Sequence, residues 1–227
     1  MHAYTACGTV LALLAVIAAV DGHPVRALWI LLAALIIDGT DGALARWLRV
    51  KETIPTFDGA RLDDIVDYIT YAFVPMVLLW TSGYLPGGPW GAVFAAIPLL
   101  ASSYQFCRVD AKTADHYFLG FPSYWNVVAF YAVVLDLAPA LTATILVACA
   151  ILVFVPIKYI YPSRTSTLRV LNLTLAALWL ALYALILIDL PNPSPFLVGL
   201  SLAYIAYYFL ASIYLTVSGN RRVRMPI

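Results

Sequence analysis

The sequence predicts an all-α, polytopic transmembrane helical bundle of about eight spans, with six as the lower bound. Of its 227 residues, 63% are hydrophobic and only 11% are charged. A soluble domain of this size cannot bury so much apolar surface in one core, so the surrounding solvent is expected to be lipid. The formal net charge of +1 indicates neither a nucleic-acid partner nor an acidic one.

Eight apolar runs predict eight helices, each separated from the next by a short segment rich in charged or turn-forming residues. The predicted helices lie near 4–20, 25–47, 60–80, 90–107, 122–137, 139–160, 169–188 and 195–217. The first run has no basic segment before it, so it predicts a span rather than a cleavable signal peptide. Only Asp136 and Pro139 separate the fifth run from the sixth, so a single broken or re-entrant helix is the alternative there. Because no repeat or linker interrupts the chain, residues 1–227 are predicted to form a single domain.

The positions of the basic residues predict the orientation in the membrane, because short loops rich in Lys and Arg stay in the cytoplasm. If the eight helices cross in alternation, all of the 13 basic residues except Arg26 lie on one side. The even number of spans places both termini on that same side. The pattern therefore predicts cytoplasmic termini and a cytoplasmic position for the acidic segment described next.

Seven of the 12 acidic residues fall between Asp38 and Asp67, and several of them lie in or at the end of otherwise apolar helices. A charged residue at the centre of a span costs roughly 2.5–3.5 kcal/mol on insertion scales, so acidic groups there usually serve a function. The spacings Asp38 to Asp41 and Asp63 to Asp67 place each pair on one helix face. Two such faces brought together would place four carboxylates close to one another. These carboxylates cannot all ionise unless a cation lies among them.

Oxygen ligands without His or Cys select a hard ion, so Mg²⁺ or Mn²⁺ is expected, with Ca²⁺ as the alternative. Two such ions are a common means of neutralising a pyrophosphate and its leaving group. Gly42, Ala45 and Gly59 are small enough to let backbone and ligand approach closely. The alternative is that these small residues only permit tight helix packing, while the aspartates pair with the basic residues Arg46, Arg49, Lys51 and Arg61.

The acidic segment follows the pattern D-x₂-D-G-x₂-A-R, then twelve residues, then G-x₃-D-x₃-D. This pattern resembles the signature of the CDP-alcohol phosphotransferase family. Its eight fixed positions are matched by Asp38, Asp41, Gly42, Ala45, Arg46, Gly59, Asp63 and Asp67. The gap of twelve residues after Arg46 is longer than in most of the family and resembles the bacterial phosphatidylcholine synthase branch.

The resemblance implies a mechanism for the matching residues. Asp38, Asp41 and Asp63 would be ligands of two Mn²⁺ or Mg²⁺ ions, and Asp67 would be a further ligand and the general base. The implied substrate is CDP-diacylglycerol, which would be bound through Gly42, Ala45, Arg46 and Gly59. The implied acceptor is choline, whose hydroxyl would lose its proton to Asp67 while CMP leaves. The resemblance also implies a homodimer in the bacterial cytoplasmic (inner) membrane.

The sequence specifies the acceptor-binding residues less closely than the metal ligands. A quaternary ammonium group binds aromatic faces or carboxylates. Because 14% of this chain is aromatic, many residues are candidates. The candidates for contact with the acceptor or with a lipid phosphate are Tyr71, Lys112, Tyr124, Trp125, Arg164 and Arg169. Asp110 and Asp115 could also meet a cation. The alternative for the aromatic residues is interfacial packing, and for the basic residues it is the positive-inside rule.

Two other functions remain open at this point. One is the same transfer chemistry with serine, inositol or a phosphorylated polyol as the acceptor. The other is a membrane cation transporter whose intramembrane aspartates form the transport site. The position of the acidic residues at one membrane face and the absence of an inverted repeat in the sequence argue against the transporter.

Overall fold

The computed structural model of the chain describes residues 1–223, without the side chains of Lys51 and of residues 219–223. The suggested pairing of Lys51 with an aspartate therefore lies outside the described residues. Among the described residues, the regular secondary structure is helical except for one two-stranded ladder and an isolated bridge between Lys112 and Phe118. In chain order the elements are α1 (His2–Val20), α2 (Pro24–Trp47), α3 (Val50–Thr53), α4 (Gly59–Asp67), a π-helix (Tyr68–Phe73), α5 (Val74–Thr81), α6 (Pro89–Cys107), β1 (Tyr117–Leu119), α7 (Trp125–Val134), α8 (Pro139–Phe154), β2 (Lys158–Ile160), α9 (Arg169–Ile188) and α10 (Pro195–Val223).

The prediction of an all-α polytopic membrane bundle is confirmed. Five described helices are long and apolar enough to cross a membrane: His2–Val20, Pro24–Trp47, Pro89–Cys107, Arg169–Ile188 and Pro195–Ser218. The segment from α4 through the π-helix to α5 is continuously helical over residues 59–81, close to the predicted helix at 60–80. Two further apolar helices, α7 and α8, are shorter.

The structure corrects the predicted helices at 122–137 and 139–160. Only Trp125–Val134 and Pro139–Phe154 are helical there. Asp136 has a φ of 46°, in the left-handed region, so the chain forms two separate helices at this point. Pro156 explains the early end of α8, because proline lacks a backbone donor and disfavours helical geometry in the residue before it.

Beyond Pro156 the chain forms a strand that the sequence analysis did not predict. Residues Lys158–Ile160 pair antiparallel with Tyr117–Leu119, with Phe118 opposite Tyr159. The backbone N–H groups of Lys158 and Ile160 donate to hydroxyl oxygens of α10, at 2.8 Å to Thr216 and 3.2 Å to Ser212. Both edges of β2 are thereby hydrogen-bonded, which explains how so short a ladder persists.

The chain divides into two compact units. The first comprises Met1–Phe106 and Ser123–Val147, and the second comprises Cys107–Pro122 and the chain from Ala148 onward. The core of the first unit includes small side chains of α1 and α2, among them Ala15, Ala19 and Ala27, which allow these helices to pack closely. The interpretation of residues 1–227 as one domain stays a prediction.

The π-helix in the first unit has an identifiable cause in the sequence. Pro75 lies four residues after Tyr71, and in an α-helix its backbone nitrogen would have to donate to the Tyr71 carbonyl. Proline has no hydrogen to donate, and its ring would collide with that carbonyl. The wider turn between Asp67 and Val74 relieves this conflict.

Candidate active site

Three of the four predicted metal ligands converge in the first unit. Asp38 lies in the C-terminal half of α2, and Asp63 and Asp67 lie one turn apart on α4. Each offers a carboxylate oxygen, and these oxygens all lie within 4.8 Å of one another. All three residues are half-buried. We call this group the aspartate trio.

Local sequence explains the position of α4. Asp58 caps its N-terminus, and the Asp58 carboxylate accepts a hydrogen bond of 3.1 Å from the backbone N–H of Arg61. The cap sets the start of the helix at Gly59, and the four-residue spacing then turns Asp63 and Asp67 to the same face.

The aspartate trio fits a divalent cation of the Mg²⁺ or Mn²⁺ type. The trio supplies only oxygen donors, which hard cations prefer. Three carboxylates this close repel one another strongly when ionised, and a bound dication removes that repulsion. Arg61, one of the basic residues considered as a partner for these aspartates, pairs with Asp58 at 4.0 Å.

Asp41, the fourth predicted ligand, is not a member of the trio. Its side chain is 5% exposed and accepts a hydrogen bond of 2.7 Å from the Thr5 hydroxyl of α1. Sequence reasoning missed Thr5, because nothing local connects it with a residue 36 positions later. The role of Asp41 as a metal ligand stays a prediction.

The predicted substrate-binding residues Gly42 and Gly59 have close neighbours within the protein. A Cβ atom at Gly42 would lie 3.2 Å from the Nη1 atom of Arg46. A Cβ atom at Gly59 would lie 3.1 Å from Nε2 of His2, whose ring stacks on Phe57 with centroids 4.1 Å apart. The glycines therefore make room for side chains of this chain. Contact of CDP-diacylglycerol with Gly42, Ala45, Arg46 and Gly59 stays a prediction.

Tyr71, a predicted acceptor contact, reaches the aspartate trio directly. Its hydroxyl donates a hydrogen bond of 2.5 Å to Oδ2 of Asp38, and the residue is 7% exposed. The ring of Tyr124 lies beside it, with centroids 5.9 Å apart and planes inclined at 36°. Tyr124 itself is half-buried and immediately precedes α7.

Trp125 is placed differently from its neighbour Tyr124. It is 0% exposed, and its Nε1 donates a hydrogen bond of 2.6 Å to the Ser102 hydroxyl. Ser102 in turn donates to Ser123 at 3.1 Å. This buried network favours a packing role for Trp125 over contact with an acceptor.

The remaining acceptor candidates are basic residues of the second unit. Lys112 lies in the loop before β1, bridged through its backbone to Phe118. Arg164 lies in the turn after β2, and Arg169 is the first residue of α9. All three are exposed. Contact with an acceptor or a lipid phosphate stays a prediction for each.

Asp110 and Asp115 already have cationic partners in the second unit. Arg108 donates to both carboxylate oxygens of Asp110, at 2.7 and 2.8 Å, and these bonds lower the pKa of Asp110. Partial burial raises the pKa of Asp115, but the hydrogen bond of 2.6 Å from Lys158 and the charge of that ammonium group outweigh it and lower the pKa. These pairings argue against either carboxylate as a choline contact.

Comparison with known proteins covers nearly the whole chain. The family described as CDP-alcohol phosphatidyltransferase matches residues 3–217, a range that contains the aspartate trio. A phosphatidylcholine synthase of Pseudomonas aeruginosa is 41% identical over 209 residues, which cover 92% of this chain and 87% of that protein. A phosphatidylcholine synthase of Legionella pneumophila is 38% identical over 224 residues, with 95% and 87% covered. One of Borreliella burgdorferi is 36% identical over 224 residues, with 98% and 95% covered.

Proposed function

This chain belongs to the CDP-alcohol phosphatidyltransferase family, and we propose that it transfers the phosphatidyl group of CDP-diacylglycerol to choline and releases CMP. The observation that carries the proposal is the aspartate trio, contributed by α2 and α4, whose oxygens lie within 4.8 Å of one another. The similarity to phosphatidylcholine synthases over most of the chain supports choline as the acceptor.

Asp38, Asp63 and Asp67 would hold divalent metal, with Asp41 as the fourth ligand that the resemblance implies. We propose two ions of Mn²⁺ or Mg²⁺. When bound, such ions neutralise the charge of the pyrophosphate and of the departing CMP. The half-buried position of the trio restricts water around it, which strengthens these electrostatic interactions.

Asp67 is the proposed general base. It is the last residue of α4, directly before the π-helix. Its carboxylate would accept the proton of the choline hydroxyl as that oxygen forms a bond to the phosphorus that bears diacylglycerol. The bond between this phosphorus and the oxygen of CMP breaks in the same displacement, and CMP keeps the electron pair.

Tyr124 is the proposed aromatic contact for choline. Its ring is half-buried beside Tyr71, whose hydroxyl contacts the aspartate trio. An aromatic face next to carboxylates suits a quaternary ammonium group, because the ring quadrupole and the acidic charge both attract the cation. This position would hold the choline hydroxyl near Asp67.

The proposal includes a homodimer in the bacterial cytoplasmic membrane, with the trio and both termini facing the cytoplasm. The bacterial relatives support the location. The asymmetric distribution of basic residues supports the orientation, because all of the 13 except Arg26 fall on the predicted cytoplasmic side.

Purified protein incubated with CDP-diacylglycerol, Mn²⁺ and one alcohol at a time tests the proposal. We expect choline to release CMP and form phosphatidylcholine, with EDTA abolishing the reaction and Mn²⁺ or Mg²⁺ restoring it. Release of CMP with serine, inositol or glycerol phosphate but not with choline would overturn the acceptor. Cation flux in proteoliposomes, without CMP release for any alcohol, would overturn the enzymatic proposal in favour of a transporter.

A further inference from the structure

The π-helix Tyr68–Phe73 begins at the residue after Asp67 and carries Tyr71. In an α-helix a four-residue step overshoots a full turn by about 40°, so Asp63, Asp67 and Tyr71 would drift progressively around the helix. A π-helix closes its hydrogen bonds one residue later, and each residue turns through a smaller angle. The step from Asp67 to Tyr71 therefore does not add to the drift, and Tyr71 stays on the face of the two aspartates.

The hydrogen bond from Tyr71 joins the two sides of the aspartate trio. Asp63 and Asp67 are fixed relative to each other by the backbone of α4, whereas Asp38 comes from α2. The Tyr71 hydroxyl, carried by the segment that continues α4, donates to Oδ2 of Asp38. A donor to an ionised carboxylate forms one of the stronger kinds of hydrogen bond, and Tyr71 is 7% exposed, so little water competes for it.

We infer that Tyr71 is a positioning residue, which orients the Asp38 carboxylate toward Asp63 and Asp67 and so sets the affinity of the trio for divalent metal. This inference rests on the proposed function, since it assumes that the trio binds metal. It assigns Tyr71 a role other than the acceptor contact expected from the sequence. Loss of a partner that orients a metal ligand typically costs about 10–100-fold in metal affinity.

Tyr71→Phe tests the inference, because it removes only the hydroxyl. The measurement is Mn²⁺ binding to purified protein without substrate, by electron paramagnetic resonance of the free ion, together with the Mn²⁺ dependence of CMP release. We expect Mn²⁺ affinity about 10–100-fold weaker than in the wild type. We also expect excess Mn²⁺ to restore most of the maximal rate, because every carboxylate remains.

The matched control is Tyr68→Phe, which removes a hydroxyl from the same π-helix. The Tyr68 hydroxyl donates to the Leu99 carbonyl at 3.3 Å and accepts from Ser103 at 3.3 Å. We expect this variant to keep wild-type Mn²⁺ affinity. Unchanged affinity in Tyr71→Phe, or an equal loss in both variants, would overturn the inference.

A second variant tests the π-helix by a different route. Pro75→Ala permits a continuous α-helix, which would turn Tyr71 away from Asp38. We expect weaker Mn²⁺ binding, and the double variant Tyr71→Phe with Pro75→Ala should bind no more weakly than Tyr71→Phe alone. Additive losses would overturn the link between the π-helix and Tyr71.

If the wild type binds Mn²⁺ but releases no CMP, the proposed function fails while the inference can still hold.

Discussion

Individual aspartates of the same signature lie in different surroundings. Asp38 and Asp41 are three residues apart on α2, a step that leaves them about 60° apart around the helix. Asp38 turns toward Asp63 and Asp67, whereas Asp41 turns toward Thr5 of α1. The three-residue spacing predicts that Asp38 and Asp41 lie on one face of α2. The angle between them is nevertheless large enough for each to contact a different neighbouring helix.

At the residue scale, Asp67→Asn distinguishes the proposed role of Asp67 as a metal ligand from its proposed role as the general base. The amide keeps a carbonyl oxygen that can contact metal but cannot accept the choline proton. Since general-base catalysis contributes about 10²–10⁴-fold, we expect the rate of CMP release to fall by about that factor. Mn²⁺ binding should be largely retained in the same preparation.

Asp64→Asn is the control for this prediction. Asp64 follows Asp63 directly in sequence and is rotated about 100° from it around α4, and it is not a member of the trio. We expect it to keep most of the wild-type rate. A wild-type rate in Asp67→Asn would refute the assignment of the base.

At the scale of elements, the ladder of β1 and β2 depends on a glycine that follows β1. Gly120 has a φ of 83°, in the region that glycine adopts without strain. Its backbone N–H donates to the Ile157 carbonyl at 2.9 Å, and a Cβ atom there would overlap the carbonyl oxygen of Val153. The close approach of Gly120 to the end of α8 is a tertiary feature that no local sequence pattern predicts.

Gly120→Ala should therefore destabilise the second unit, through both backbone strain and overlap with α8. Strain in a sparsely populated region alone costs about 1–3 kcal/mol. Gly199→Ala in α10 is a matched control, because no atom lies within 4 Å of the added carbon and alanine favours a helix. We expect thermal unfolding in detergent to show a lower Tm for Gly120→Ala and no decrease for Gly199→Ala. Equal Tm values would contradict this account of Gly120.

At the scale of the whole molecule, the helical segment 59–81 is long enough to link the loop before α4 to the opposite face of a membrane. Its 23 residues span about 34 Å at 1.5 Å per residue, enough to cross a hydrocarbon core of about 30 Å. From the positive-inside rule we expect the loop before α4 to lie in the cytoplasm and the loop after α5 outside it.

Cysteine labelling in intact cells tests this orientation, after replacement of the native Cys7, Cys107 and Cys149. Thr56→Cys and Gly87→Cys place single thiols at exposed positions before α4 and after α5. We expect a membrane-impermeant maleimide to label Gly87→Cys in intact cells and Thr56→Cys only after permeabilisation. The reverse pattern would contradict a cytoplasmic site.

The sequence by itself determined the membrane class, the approximate position of most helices and the candidate ligands. These features depend on hydrophobicity and helical spacing, which are properties of neighbouring residues. The tertiary structure decided that Asp38 joins Asp63 and Asp67, that Thr5 binds Asp41, that Tyr71 binds Asp38, and that β1 pairs with β2. Each of these contacts joins residues more than twenty positions apart, so it depends on how the helices pack and not on any local pattern.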